Sequence, residues 1–215
     1  MQLDWEYDEG HVTLSMPGYV EKALQRFTHT ASPKPQHAPH AWTPPNYGAH
    51  IQYAPPEDDS MPLDKPGINL LQQIVGTFLY YARAINNTML VALGTLAAAQ
   101  TKGTKRTMEA TTQLLNYAAT HPDAAIQYYR SDMTLYAHSN ASYLSEPQAR
   151  SRVGGYFYLG NTNEPADNPT PNGPVHVESQ IMKHIMAAAS EEEIGALFHN
   201  GQEAAHIRQI LAEIG

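Results

Sequence analysis

The chain has 215 residues, no cysteine, and 13 basic against 21 acidic side chains, for a formal net charge of −8. Its 42% hydrophobic content suffices for one or two packed domains and excludes a wholly disordered chain. The acidic balance excludes a globally basic nucleic-acid binder, and the lack of cysteine excludes disulfides, thiolate metal sites and a cysteine nucleophile. No apolar run reaches the roughly 18 to 20 residues of a membrane span. Met1-Gln2-Leu3-Asp4-Trp5 carries neither the basic flank nor the apolar core of a signal peptide. The expectation is an intracellular chain, cytoplasmic or nuclear, neither secreted nor partnered with membrane.

In chain order, Leu3 to Tyr7 and Val12 to Ser15 alternate apolar and polar residues around Asp8-Glu9-Gly10-His11, a hairpin signal. Val20, Ala23, Leu24 and Phe27 then fall at helical spacing over Tyr19–Phe27, with Ser15 as cap and Pro17 in the first turn. Nine of the sixteen prolines lie between residues 30 and 66, which predicts an extended segment, either wrapped on a surface or acting as a semi-rigid linker. Ile68, Leu71, Ile74, Val75, Phe78, Leu79 and Ala82 predict a helix over 68–84. Asn86-Asn87 breaks it, a second helix follows over 88–100, and Gly103 precedes a third over 104–120 that stops at His121-Pro122. Three helices with short connections make a small helical subdomain.

Beyond Pro122 the period changes to two. Residues 125–129, 133–137, 156–159 (after Gly154-Gly155) and 175–179 read as strands, and 190–214 as a helix. Strands followed by a long helix point to an α+β or α/β layer. The predicted division is 1–29 (hairpin and helix), 30–66 (proline-rich), 67–122 (helical) and 123–215 (strands and helix). The net charges of 1–29, 30–66, 67–132 and 133–215 are −3, −2, +2 and −5. The one basic stretch is thus the middle one, where Lys102, Lys105 and Arg106 sit together.

These segments, in this order, resemble a copia-type retrotransposon polyprotein downstream of its reverse-transcriptase palm. Ser15 to Phe27 resembles the strand-to-helix segment after the palm, and Val75 to Ala82 the family's "VGSLLYL"-like helix. Thr104 to His121 resembles the helix with a "RILRYLKGT"-like run, and Leu135 to Gly160 with Ala187 to Gly215 the start of the ribonuclease H domain. The resemblance implies a helical, thumb- or connection-like subdomain at 67–122. At 123–215 it implies a truncated ribonuclease H-like domain, a mixed sheet opened by three strands and followed by a helix. It also implies a palm upstream of Met1, since the chain contains no Tyr-x-Asp-Asp.

Active members of that family cleave the RNA strand of RNA–DNA hybrids with Mg²⁺ ions held by several carboxylates. The resemblance places His138 where the family has its first Asp and Asn140 where it has the second acid. Glu193 falls at the helical carboxylate, and the remaining aspartates would come after Gly215. A neutral imidazole and an uncharged amide cannot replace bridging anionic oxygens on Mg²⁺, so the expectation is no two-metal hydrolysis and no cofactor. Glu193 also follows Ser190 by three residues, a capping-box spacing. His176, His184, His199 and His206 lack a third ligand at zinc-site spacing, and no Gly-x-Ser-x-Gly surrounds Ser139 or Ser190. Arg150 and Arg152, like Lys102, Lys105 and Arg106, are candidates for phosphate contacts.

Three functional readings follow. One is a catalytically silent fragment of a reverse transcriptase/ribonuclease H polyprotein, ancestrally engaged in RNA-directed DNA synthesis and hybrid hydrolysis. Its partners would be an RNA–DNA hybrid or another nucleic acid, and a separately supplied polymerase region. The second is a non-catalytic nucleic-acid or protein interaction module on the same fold. The third is a decaying open reading frame whose product packs poorly.

Overall fold

A computed structural model describes residues 1–41, 58–146, 150–163 and 170–214. The stretch around Pro44, Pro45, Pro55 and Pro56 lies outside the described residues. The described chain is a mixed α plus β protein with two three-stranded sheets and five α-helices. Its described residues divide into two compact units, one from 1–4, 14–41 and 58–126, the other from 5–13 and the described residues between 127 and 214. No helix among the described residues is long and apolar enough to cross a membrane.

Strands β1 (Gln2–Glu6) and β2 (His11–Ser15) form the expected hairpin, and β3 (Ala125–Tyr129) completes a sheet of order β1-β2-β3. Helix α1 (Tyr19–Arg26) starts one step after Gly18, whose φ of 70° serves as the cap. Ser15 ends β2 instead of capping the helix, because only a residue at ease in the left-handed region can make this turn.

The helical unit is built on α2 (Lys65–Ala84), α3 (Leu90–Ala99) and α4 (Lys105–Thr120), with single 3₁₀ turns at Asn87–Met89 and Gln100–Lys102. Helix α2 begins three residues earlier than its apolar periodicity predicts. Asp64 caps it by accepting from Gly67 N at 2.9 Å, and Pro66 occupies the first turn, where a missing N–H costs nothing. Pro66 therefore starts a helix instead of ending an extended segment. The face Leu71, Ile74, Val75, Phe78, Tyr81, Ala82 is buried as the i, i+3, i+4, i+7 pattern requires. Tyr81 stacks on Tyr19 at 5.4 Å and donates its hydroxyl to Pro122 O at 3.2 Å, and burial pushes its pKa up. Tyr80, next in sequence, is 55% exposed, as helical geometry demands of adjacent residues.

The described part of the proline-rich segment is wrapped on a surface. Ser32 N and Gln36 N donate to Asn116 Oδ1 (3.1 Å) and Thr120 Oγ1 (2.9 Å), and Gln113 Nε2 donates to Ala38 O (3.2 Å), all along α4. A segment poor in its own hydrogen bonds is held by the side chains of a helix that has its own ladder complete.

The second unit contains β4 (Thr134–Glu146), β5 (Arg150–Gly160), β6 (Pro174–Ile181) and α5 (Ala189–Ile214). The sheet order is β4-β5-β6 and both pairings are antiparallel, with Ser139 opposite Gly155 and Tyr156 opposite Val177. The resemblance implied a mixed sheet. Only three residues separate β4 from β5, too few for the crossover that parallel pairing requires, and β5 and β6 are likewise antiparallel. Strands β4 and β5 are also much longer than their sequence signals. Gly154-Gly155, expected to precede a strand, lies inside β5, where a Cβ on Gly155 would come within 2.2 Å of Asn200 Oδ1. The glycine allows α5 to approach the sheet.

Candidate functional site

The face of β4 and β5 carrying Ser139 and Gly155 is covered by α5. Asn200 reaches from the helix to donate through Nδ2 to Ser139 Oγ (2.8 Å) and Gly154 O (2.9 Å). Nearer the helix N-terminus, Tyr143 Oη donates to Ala187 O at 3.0 Å. The helix thus runs antiparallel to β4, and its inward stripe is Glu192, Ala196 and Asn200, one residue per turn.

This placement separates the three acids at the helix start. Glu191 accepts from Ala187 N at 2.9 Å, so it is this residue, and not Glu193 with Ser190, that reaches back over the N-terminus. The reason is that the helix begins at Ala189, with Glu191 N and Glu192 N both donating to Ala188 O, so the capping register falls two residues before that of the Ser190–Glu193 pair. Glu193 is exposed. Glu192 is fully buried, and neither carboxylate oxygen has a hydrogen-bond partner among the described residues. Asn200 Oδ1 is likewise buried and unpartnered.

His138 and Asn140 flank Ser139 and, by strand alternation, face away from α5. The His138 ring stacks on Tyr158 at 5.7 Å with Nε2 3.4 Å from its hydroxyl. Asn140 is exposed opposite Gly154. The two strand positions matched to the family's carboxylates therefore do not converge with Glu192. Among the described residues, no three His, Asp or Glu side chains are grouped so that they could hold a metal ion. His176 Nε2 lies 3.4 Å from Glu178 Oε2, and His199 Nε2 lies 2.5 Å from Gln180 Nε2. Sequence reasoning missed Glu192, Ser139 and Asn200. The signal was available in the 192, 196, 200 spacing, but Ile194, Leu197 and Phe198 form a stronger apolar pattern and are 67%, 63% and 68% exposed.

A carboxylate buried without a donor is a net cost to the fold, whereas an apolar side chain of similar size in the same space is not. Glu192→Met is accordingly expected to raise the unfolding free energy by about 1–3 kcal/mol, read from the urea midpoint of the full chain. A loss of stability in this variant would show that a bound donor or ion satisfies the carboxylate in solution.

The candidate phosphate-binding cations fall into two kinds. Lys102, Lys105 and Arg106 are exposed around the start of α4. Arg106 Nε sits 3.9 Å from Asp58 Oδ1, and its backbone N donates to Ser60 Oγ at 3.2 Å. Hydrogen bonds from Ser60 and then Thr104, with Arg106 beside it, hold the Asp58 carboxyl below the usual carboxylate range. Arg152 is different, for it is 6% exposed with Nε 2.7 Å from Glu146 Oε1, and Nη1 donates to Ser179 Oγ at 3.3 Å. It is a structural ion pair inside the sheet. Arg150 is half-buried opposite Glu146 in the β4–β5 register. Of the interleaved aromatics, Phe157 and Tyr158 are fully buried, and Tyr156 donates its hydroxyl to Asn172 O at 2.7 Å.

No protein-family model, curated protein or solved structure matches this chain.

Proposed function

We propose that the chain is a catalytically silent fragment of a copia-type polyprotein whose C-terminal part has the opening layout of a ribonuclease H-like domain. The observation that carries this reading is the order of elements after Ser131. Three antiparallel strands come in sequence order, and a long helix then lies along the first strand with an acid, Glu192, turned toward the sheet. The segment-by-segment resemblance over Ser15–Phe27, Val75–Ala82, Thr104–His121 and Leu135–Gly160 supports it. Silence follows from chemistry. His138 and Asn140 stand at the positions of family acids, and neither shares a face with Glu192.

The test is incubation of the full chain with an RNA–DNA hybrid and Mg²⁺ or Mn²⁺. The expected result is no cleavage above that of a Glu192→Gln/Glu193→Gln double variant. Metal-dependent cleavage lost in that variant would overturn silence. The origin is tested separately by the flanking genomic sequence, which is expected to encode a palm upstream and an aspartate-bearing segment downstream.

A second reading, a non-catalytic nucleic-acid-binding module, is favoured by the three cations exposed around one helix start. It requires hybrid affinity that falls steeply with salt, because each phosphate contact releases counterions. In the same preparation, fluorescence anisotropy of Lys105→Ala separates it from the silent fragment. A shallower salt slope supports the module, and no binding at low salt removes it.

A further inference from the structure

We infer that the second unit carries a binding cleft for a nucleoside monophosphate, beyond the reading above and remote from the α5 face. The cleft has a volume of about 290 Å³ and is lined by the Tyr129-Arg130-Ser131 segment, Gly160-Asn161 and Thr170-Pro171-Asn172. That volume is at the small end of ligand sites, suited to a single nucleotide and too small for a dinucleotide. Gly160 pairs with Thr134 at the start of β4, whereas Tyr143, nine residues further along, contacts the N-terminal end of α5, about 30 Å away.

The cleft is pre-formed by one side chain. Asn172 Oδ1 accepts from Tyr129 N (2.8 Å), and its Nδ2 donates to Tyr129 O (2.8 Å) and Leu159 O (2.8 Å), so the amide substitutes for a strand partner and clips β3 to the end of β5. Tyr128 Oη donates to Pro174 O (3.1 Å) and Tyr156 Oη to Asn172 O (2.7 Å), and burial pushes both phenol pKa values up, which keeps them as donors. The Arg130 backbone is fixed in turn, donating to Gly10 O at 2.9 Å.

Two groups in this frame are left for a ligand. Arg130 is exposed, and no ion pair among the described residues includes it. The neighbouring carboxylate, Asp132, accepts instead from Thr162 N at 3.1 Å. A guanidinium held on a fixed backbone beside an open cleft suits a phosphate, which its planar fork grips with two parallel bonds. The adjacent Tyr129 ring is 53% exposed, with its hydroxyl tied to Gln127 Oε1 at 2.8 Å, and so offers a stationary apolar face to a base. The Ser131 hydroxyl, which accepts from Met133 N at 3.4 Å, retains its proton as a donor to a ligand oxygen.

Titration calorimetry of the full chain with adenosine 5′-monophosphate, adenosine and inorganic phosphate tests the assignment, with amide NMR spectra to locate the ligand. The nucleotide is expected to bind more tightly than either part, with shifts concentrated on residues 129–131, 160–161 and 172. Arg130→Gln should weaken the nucleotide by about tenfold or more. Tyr129→Ala should weaken it by about fivefold while leaving inorganic phosphate unchanged. Both side chains are exposed, so neither change should move the unfolding midpoint. Nucleotide affinity no better than adenosine, equal affinity in Arg130→Gln, or no binding at about 1 mM overturns the proposal. Hybrid cleavage or its absence leaves it untouched, since that assay reads the α5 face.

Discussion

Glu146→Ala is expected to cost the second unit about 3–5 kcal/mol, a large fraction of the stability of any single domain. Glu146 and Arg152 are 5% and 6% exposed, and the 2.7 Å contact between them neutralises both charges inside the sheet. Removing the acid takes the carboxylate at 2.7 Å away from a guanidinium that is 6% exposed and cannot lose its proton. Ser179 Oγ, at 3.3 Å, accepts a hydrogen bond but supplies no charge. The pair exists because β4 breaks register between Ser142 and Glu146, where Leu144 takes a φ of 52° and donates its N–H to Ser151 Oγ at 2.9 Å. Such an irregularity re-aims the side chains beyond it, here turning Glu146 toward Arg152. The control is Glu146→Leu/Arg152→Met, which replaces both charges at similar volume and should be neutral or stabilising. Urea unfolding of the two variants decides the matter, and a loss under about 1 kcal/mol in Glu146→Ala would mean that water already reaches Arg152. For the same reason, any loss of nucleic-acid affinity in an Arg152 variant should track its loss of fold.

The second large effect lies in the helical unit. Phe78→Ala should destabilise that unit by about 3–5 kcal/mol, because the ring is fully buried and its removal leaves a cavity that rigid helices fill poorly. Phe78 lies on the same α2 face as Leu71 and Ile74, which are 0% and 2% exposed, and Leu93 of α3 and Leu114 of α4 are buried just as completely. Tyr80→Ala is the internal comparison. Two residues away, 55% exposed and touching Tyr19 only at a ring separation of 6.0 Å, it should change stability by no more than about 0.5 kcal/mol. Thermal unfolding followed by circular dichroism compares the two directly. Similar midpoints would mean that α2 is not anchored through Phe78.

The contrast between these residues shows which features were legible in the linear sequence. The α2 core face was readable because apolar side chains at 71, 74, 75, 78 and 82 can share only one side of a helix. The start of α4 was readable because Gly103 breaks the helical pattern just before it, and the structure closes that start with a capping box between Thr104 and Thr107. The extent of β4 was not. Its second half, His138 to Glu146, is polar on both faces, since one side meets Asn200 and the other an aromatic stack, and neither gives the apolar alternation that marks a strand. Gly154-Gly155 misled for a related reason, because a glycine needed for close helix approach looks the same as one needed for a turn.

The acids at the start of α5 illustrate the remainder. That residues 191–193 would favour a helix N-terminus follows from charge and dipole alone. Which of the three faces the sheet depends on the rotation of the helix about its axis, set by Tyr143 at one point and Asn200 at another. The element types, the apolar face of the helical unit and the absence of thiol chemistry were determined by the sequence itself, since each depends on residue type and local period. The antiparallel sheet, the burial of Arg152 against Glu146, the inward turn of Glu192 and the cleft beside Arg130 were decided only by tertiary structure. Each depends on residues far apart in the chain meeting at a particular rotation and register, which no local pattern encodes.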